Sequence, residues 1–550
     1  MAAKILTSPW NQGNFTIPET SLIDLLLTDL EDSLKNHGDA VWLHDVSTGE
    51  KLMYSEVLPS IRGMASALTK MGFKKGDMMI MFTSNHVLYF ITILSAWKCG
   101  GGVTLSNQFA PADAISRQQA RTGARFIVCN NDTAARALDV KTRCPDIKEI
   151  FCLGDANGCI KVADLVKDDG SAYPGAVKQD YDDIIYVPFA PGTGSALNGV
   201  CHTNRSLGSC IYTMRAKKPT KGLNVIYSAW LFHLGTIEMV LSGMKNLHTN
   251  ITLSVFNEET LFQAINDLKP EVAFLNQPQV ASIANTDIAE RHDLSSIRCV
   301  ISGGQFIPPE VERMVRQKMP NLKTFCKGYG MSEYPHGTIT APIGNHVFDL
   351  SAMTEETIDK PGCVGRPCPL TEIKVIDQNS GEILGPNSPG EICFRGPYMF
   401  KQYWNDPQNT ERMKKDGWIH SGDLGYYDED GYLYFIERLK EVIKYNVFPV
   451  MPDAIEKLIM SHPSVEDAAV LGLPSLQHGE LPLAYVVKKI GHDNVTDSEL
   501  LDFVNGKVAD YEKLRGGLYF IDQIPRVVGR VNRRELKSRA IAEAEARNKQ

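Results

Sequence analysis

Residues 55–71, SEVLPSIRGMASALTKM, are followed by GDMMIMFTS at 76–84, HVLYFITILSAWKCG at 86–100 and GGVTLS at 101–106. The first and third segments read as helices. The second and fourth are short apolar runs bounded by glycine or polar residues, the pattern of strands buried on both faces. The same alternation returns in ITLSVF at 251–256, ETLFQAINDL at 259–268, PEVAFLN at 270–276 and IRCVISGG at 297–304. Repeated strand-helix units imply an α/β fold with parallel sheets covered by helices, since a parallel connection needs a crossover long enough to hold a helix. After Gly390 the pattern shifts to EICFRG, DGYLYFI and acidic turns such as Asp428-Glu429-Asp430-Gly431, which suggest hairpins. The 550 residues exceed the roughly 250–300 that one hydrophobic core serves. A boundary near residues 437–441 is expected, giving a large N-terminal domain at 1–437 and a smaller, mobile α+β domain at 438–550.

Composition narrows the function classes. With 43% apolar and 22% charged residues, disorder, collagen-like and coiled-coil readings are excluded. A net charge of −8 provides no general basic field, so nucleic acid is not an expected partner. The start, MAAKILTSPWNQGNF, is polar where a secretory signal has an apolar centre. The apolar stretch Phe90–Trp97, interrupted by Thr92 and Ser95, is far shorter than the roughly 20 residues of a membrane span. The chain ends Arg547-Asn548-Lys549-Gln550, unlike a Ser-Lys-Leu peroxisomal address. A cytoplasmic location without a transmembrane segment is the expectation; the sequence leaves oligomeric state open. Twelve cysteines and thirteen histidines form no C-x-x-C, HExxH or H-x-x-x-H spacing, which points away from a metal-ligand cluster and toward buried, inert thiols. No G-x-S-x-G elbow anchors a serine hydrolase.

Residues 186–204, YVPFAPGTGSALNGVCHTN, place Gly192, Thr193, Gly194, Ser195 and Gly199 directly after the apolar run Ile184–Val187. A Gly/Ser/Thr loop after a strand can turn backbone N–H groups and hydroxyls toward phosphate oxygens. By itself the same composition also describes an ordinary flexible turn.

Downstream segments give that loop a context: GYGMSE at 328–333, GCVGRP at 362–367, GEICFRGPYMFKQYWNDPQNT at 390–410, DGWIHSGDLGYYDEDGYLYFIERLKEVIKYNVFPVMPDAIE at 416–456 and EKLRGGLYFIDQIPRVVGRVNRREL at 512–536. In this order they resemble the motifs of the adenylate-forming superfamily of acyl-CoA synthetases, coumarate-CoA ligases, luciferases and peptide-synthetase adenylation domains. The resemblance covers nearly the whole chain. It implies that a carboxylic acid and ATP form an acyl-adenylate and pyrophosphate, after which a thiol, usually coenzyme A, displaces AMP. Such chemistry asks for positioning and positive charge, not for a covalent nucleophile on the protein.

By the same resemblance Thr193, Gly194 and Ser195 meet the phosphates, and Glu333 holds Mg2+, a role suited to a hard oxygen ligand. Tyr329 lies along the adenine, and Ser332 supplies a hydroxyl where the family has Thr. Asp423 accepts from both ribose hydroxyls, Arg438 reaches the nucleotide at the domain junction, and Lys440 is the hinge. His233 flanks the entrance to the acyl pocket; a histidine in its apolar setting also reads as a packed core residue. Ser302, Gly303, Gly304, Gly328, Gly330 and Met331 form the pocket walls, with the glycines leaving room for a medium- or long-chain or aryl acid. Lys444 and Arg530 complete the catalytic set.

Three places depart from the family. The loop usually reads Ser/Thr-Ser-Gly-Thr-Thr-Gly-x-Pro-Lys-Gly, but here Pro191 and Asn198 remove an N–H, a hydroxyl and a positive charge. The C-terminal Pro-Lys-x-x-x-Gly-Lys is one residue shorter and presents Arg530, whose planar fork is not a lysine's point charge. The family's Lys-Gly before Phe-Gln-Val is Asn446-Val447 here, and a β-branched residue cannot replace glycine at positive φ without rearrangement. Two functions are consistent with this pattern: an ATP-dependent acid-thiol ligase with an altered phosphate loop, or a catalytically impaired relative that acts by nucleotide or acyl binding.

Overall fold

A computed structural model of the chain describes residues 4–10, 17–175, 177–191, 197–214, 222–304, 307–340, 360–378, 380–438, 442–446, 448–492, 494–527 and 530–548. It contains two compact units, one of residues 1–189 with 199–437 and a second of residues 190–198 with 438–550.

The first unit holds an eight-stranded and a nine-stranded sheet, both mostly parallel, together with a smaller antiparallel sheet. The opening segments fold as their spacing implies. Tyr54–Lys70 is a helix, Met78–Phe82 a strand, Tyr89–Lys98 a helix and Gly102–Leu105 a strand. Every residue of both strands is buried, as is every residue of the second helix except Lys98. Met78–Phe82 pairs in parallel with Gly102–Leu105 on one side and Phe126–Cys129 on the other. The second set builds the nine-stranded sheet, where Asn224–Tyr227, Val272–Phe274, Cys299–Gly303 and Thr324–Met331 run parallel in neighbouring positions. Its helices cover a core that includes Phe262, Ile265, Val280, Val300 and Val315.

The change of character after Gly390 is a change to antiparallel pairing. Glu372–Ile376, Gly390–Arg395 and Trp418–Tyr427 form a meander, and Leu433–Arg438 pairs with the last of these. The acidic turn between those two works through its first residue: Asp428 accepts from the N–H groups of Asp430 and Tyr432, and Gly431 has φ 81°.

In the second unit the strands Phe448–Val450, Ile443–Tyr445, Gly479–Lys488 and Val465–Ser475 lie side by side, and Gly517–Phe520 joins Gly479–Lys488 in parallel. Period-two alternation sends Ala468 and Val470 to one face with Ile455, Leu500 and Val504. It sends Ala469 and Leu471 to the other with Leu536 and Ala540 of the helix Arg533–Asn548. That helix buries a stripe against the sheet. Among the described residues no helix is long and apolar enough to cross a membrane.

Thr193, Gly194 and Ser195 of the expected phosphate loop, the hinge Lys440 and Val447 lie outside the described residues. Arg438 and Arg530 are described as backbone only, at the end of one strand and the start of another.

Candidate functional site

Asp423 is presented by a bulge. The pairing of Gly390–Arg395 with Trp418–Tyr427 passes from Cys393↔His420 to Glu391↔Leu424, so Ile392 stands opposite Ser421, Gly422 and Asp423 together. Bulges of this kind re-aim a side chain while keeping the strands paired. Gly422 has φ 67°, a left-handed conformation that glycine adopts without penalty. Every turn of the bulge is tied. Ser421 Oγ donates to Ile392 O at 2.6 Å and accepts from Asp423 N at 3.0 Å. Glu391 accepts from Gly422 N at 3.0 Å and lies 3.1 Å from His420 Nδ1. The Asp423 carboxylate that results is 4% exposed, and Tyr329 Oη donates to its Oδ2 at 2.7 Å.

Tyr329 comes from the hairpin Thr324–Met331 and Tyr334–Ile339, whose register shifts between Tyr329 and Met331. Gly330 occupies the shift because a β-carbon there would lie 2.1 Å from Pro335 O. The hairpin turn carries Ser332 and Glu333. Ser332 O lies 2.8 Å from His202 Nε2; a carbonyl can only accept, so that nitrogen carries the proton. Burial lowers the His202 pKa to about 4, which keeps the ring neutral. Glu333 is 5% exposed and accepts from Tyr403 Oη at 2.5 Å. Burial, and then the neighbouring carboxylate, push the Tyr403 phenol upward, so it remains a donor. An ionised carboxylate has lone pairs for several partners, so the Tyr403 bond is compatible with Glu333 serving a cation as well. Glu333, Asp423 and Tyr329 are therefore set by one hairpin and one bulge.

On the expected acid side, His233 stands at the N-cap of the helix Leu234–Ser242, its ring centroid 4.6 Å from that of Phe232. The preceding chain is pinned by Asn85, which accepts from Leu231 N at 2.8 Å, and by Tyr186, which donates to Phe232 O at 3.3 Å. Ser302 is buried and donates to Leu275 O at 2.6 Å. The glycines divide in two. Beside Gly304, at φ 79°, and Gly328 an added β-carbon meets nothing within 4 Å among the described residues. At Gly303 it would lie 2.8 Å from Gly328 O, and at Gly330 it would strike Pro335. The expectation that all four leave room is thus corrected: Gly303 and Gly330 serve close backbone packing.

Three further residues gain definition. Asn198 is 6% exposed, and its Nδ2 has no hydrogen-bond partner among the described residues. In the second unit the Lys444 N–H donates to Glu480 at 3.0 Å, and Glu480 also receives Lys537 Nζ at 2.7 Å. Asn446 has φ 46° and its Oδ1 lies 2.9 Å from His478 Nδ1.

Sequence reasoning missed Tyr403, Glu391 and His420, which lie inside the quoted motifs but act through others. Spacing along the chain shows no metal-ligand motif; among the described residues folding assembles two groups whose potential ligand atoms lie within 4.8 Å of one another: Cys210, Glu238 and His336, and Glu391, Cys393 and His420.

The architecture is that of adenylate-forming enzymes. It superposes on the amide bond synthetase McbA of Marinactinospora thermotolerans with TM-score 0.77, 23% identity and coverage of 94% of this chain and 99% of that one. It also superposes on a double mutant of the o-succinylbenzoate CoA synthetase of Bacillus subtilis with TM-score 0.76, 22% identity and coverage of 93% and 98%. Residues 30–404 match the family described as AMP-binding enzyme, and residues 454–528 match the AMP-binding enzyme C-terminal domain. The chain belongs to the AMP-binding enzyme family. Among its relatives are 4-coumarate-CoA ligase 5 of Oryza sativa subsp. japonica, 30% identical over 519 residues covering 93% of this chain and 94% of the relative. Another is 4-coumarate-CoA ligase 1 of Petroselinum crispum, 31% identical over 517 residues covering 92% of each.

Proposed function

We propose that the protein is an ATP-dependent acid-thiol ligase, which converts a medium- or long-chain or aryl carboxylic acid to its acyl-adenylate and then to a thioester of coenzyme A. The observation that carries this reading is the buried Asp423 carboxylate on its glycine bulge, held by the hydroxyl of Tyr329. An acceptor-only pair of oxygens suits the two hydroxyls of a ribose, and Tyr329, which fixes the carboxylate, offers a ring face to a base. The coumarate-CoA ligase relatives support the thiol step.

In the proposed reaction the acid's carboxylate attacks the α-phosphorus of ATP, and pyrophosphate leaves with the bonding electrons. Coenzyme A then attacks the acyl carbonyl and AMP leaves. Asp423 and Tyr329 orient the nucleoside, and Gly304 and Gly328 leave space along the acyl group. Arg438, Lys444 and Arg530 supply the positive charge required as the phosphates separate. Magnesium, when bound, shields phosphate charge, and Glu333 is the oxygen ligand proposed for it. The second unit is proposed to rotate near Lys440 between the two half-reactions.

A second reading, a binding protein with impaired chemistry, is favoured by one feature: Asn198 stands where the family carries a phosphate-loop lysine. Pyrophosphate release from ATP and magnesium separates the two, measured across aryl, medium-chain and long-chain acids with Asp423→Ala as the blank. Release that depends on one class of acid and disappears in the variant supports the ligase. No release above the blank, in protein shown by calorimetry to be folded, refutes it.

A further inference from the structure

Of the two clusters of sulfur, nitrogen and oxygen donors, one is accounted for. Glu391 has both carboxylate oxygens in use, one on Gly422 N and one facing His420, and so serves the bulge that presents Asp423. The other cluster has no such explanation. Cys210 belongs to the helix Asn204–Met214, Glu238 to the helix Leu234–Ser242 and His336 to the strand Tyr334–Ile339. The Glu238 side chain is 1% exposed; its Oε2 lies 2.7 Å from His336 Nε2, and its buried Oε1 has no nitrogen or oxygen donor among the described residues. A buried carboxylate oxygen with no better donor than a thiol is costly and uncommon. Burial raises the pKa of the completely buried Cys210 thiol, an effect that the Glu238 charge and the hydrogen bond between the two side chains add to. The edge of the His336 ring packs against Tyr398, with centroids 5.2 Å apart at 68°, which fixes the plane of the imidazole.

We propose that Cys210, Glu238 and His336 form a transition-metal site that takes Zn2+ and ties these two helices to the hairpin that carries Glu333. Thiolate, imidazole and carboxylate together are a zinc-type donor set, and tetrahedral bonds of about 2.0–2.3 Å need ligand atoms no farther apart than small side-chain adjustments from the present positions allow. Soft sulfur beside nitrogen disfavours magnesium and calcium, which take oxygen ligands. Binding forms a metal–sulfur, a metal–nitrogen and a metal–oxygen bond and releases the Cys210 proton to solvent, so affinity rises with pH. Glu238 Oε1 or a water completes four-coordination. The role is structural: the site joins residues that follow the expected acid-entrance His233 to the strand directly after Glu333.

The test uses full-length protein freed of metal by a chelator and titrated with Co2+, a spectroscopic substitute for Zn2+. The expected result is one cobalt per chain with a near-ultraviolet sulfur-to-cobalt charge-transfer band, lost in Cys210→Ser and displaced by Zn2+. Zn2+ should also raise the thermal midpoint of the wild type and leave that of Cys210→Ser unchanged. If Cys210→Ser does not fold, His336→Gln is the second variant, expected to bind cobalt at least ten-fold more weakly and to change the band. Absence of the band in wild type, or the same band and stoichiometry in folded variants, overturns the assignment.

Discussion

The bulge that presents Asp423 and the helix Leu234–Ser242 both bury polar side chains, but they treat several of those atoms differently. Around Asp423, the Ser421 hydroxyl, the Gly422 N–H and the carboxylates of Glu391 and Asp423 all have partners within the protein. On the helix, Thr236 Oγ1 and Glu238 Oε1 are buried with no nitrogen or oxygen partner among the described residues. The difference separates geometry that the chain builds by itself from positions where a partner outside the chain would add most. An unsatisfied buried polar atom costs about 1–3 kcal/mol, so such positions persist when something else compensates them.

The most severe way to break the first region is Asp423→Ala. Pyrophosphate release is expected to fall by about 10²–10³-fold, on the scale of deleting one preorganised group, while calorimetry shows a folded protein. Next comes a pair of glycine substitutions. Gly330→Ala drives a methyl into Pro335 O and should cost about 3 kcal/mol in denaturant titration, the upper end of overpacking. Gly328→Ala should stay within about 0.5 kcal/mol and instead weaken the apparent affinity for bulky acids. Equal effects at the two positions would remove the distinction between packed and open glycines.

A smaller, sharper test sets Tyr329→Phe against Thr236→Val. The first deletes a donor to a buried carboxylate and should destabilise by about 1.5 kcal/mol. The second replaces a buried hydroxyl that has no partner with a methyl of similar size, and should be neutral or stabilise by about 1 kcal/mol. Losses of equal size would erase the contrast between the two regions.

The smallest effect at neutral pH concerns His202. Its folded pKa is lowered from 6.5 to about 4, so between those values the unfolded chain binds a proton that the folded chain does not. The stability this group confers is full above pH 6.5, falls as pH drops toward 4 and is constant below. A folded His202→Gln variant, still able to donate to Ser332 O, should lose part of its acid sensitivity in that window in pH-dependent unfolding.

Much of this fold was legible in the sequence because its signals are local. The runs 76–84 and 101–106 were readable as buried strands, and the segments around them as helices. The Ser421-Gly422-Asp423 motif could be recognised by resemblance, but not the reason it works, since a bulge depends on register with Gly390–Arg395 and no single strand encodes that. Spacing also could not reveal Cys210 beside Glu238 and His336, which come from two helices and a strand far apart in the chain. Nor could it tell Gly330 from Gly328: both are glycines of one motif, and only the return of Pro335 closes one of them.

Adenylation itself is tested most directly by mass spectrometry of a single turnover, with enzyme in excess of ATP and the best acid of the panel, first without and then with coenzyme A. The expected result is an acyl-adenylate bound to the enzyme that is replaced by acyl-CoA and AMP when the thiol is added, both species forming about 10²–10³-fold more slowly with Asp423→Ala. Intact ATP and free acid after incubation with folded wild-type protein, across the whole panel, would contradict it.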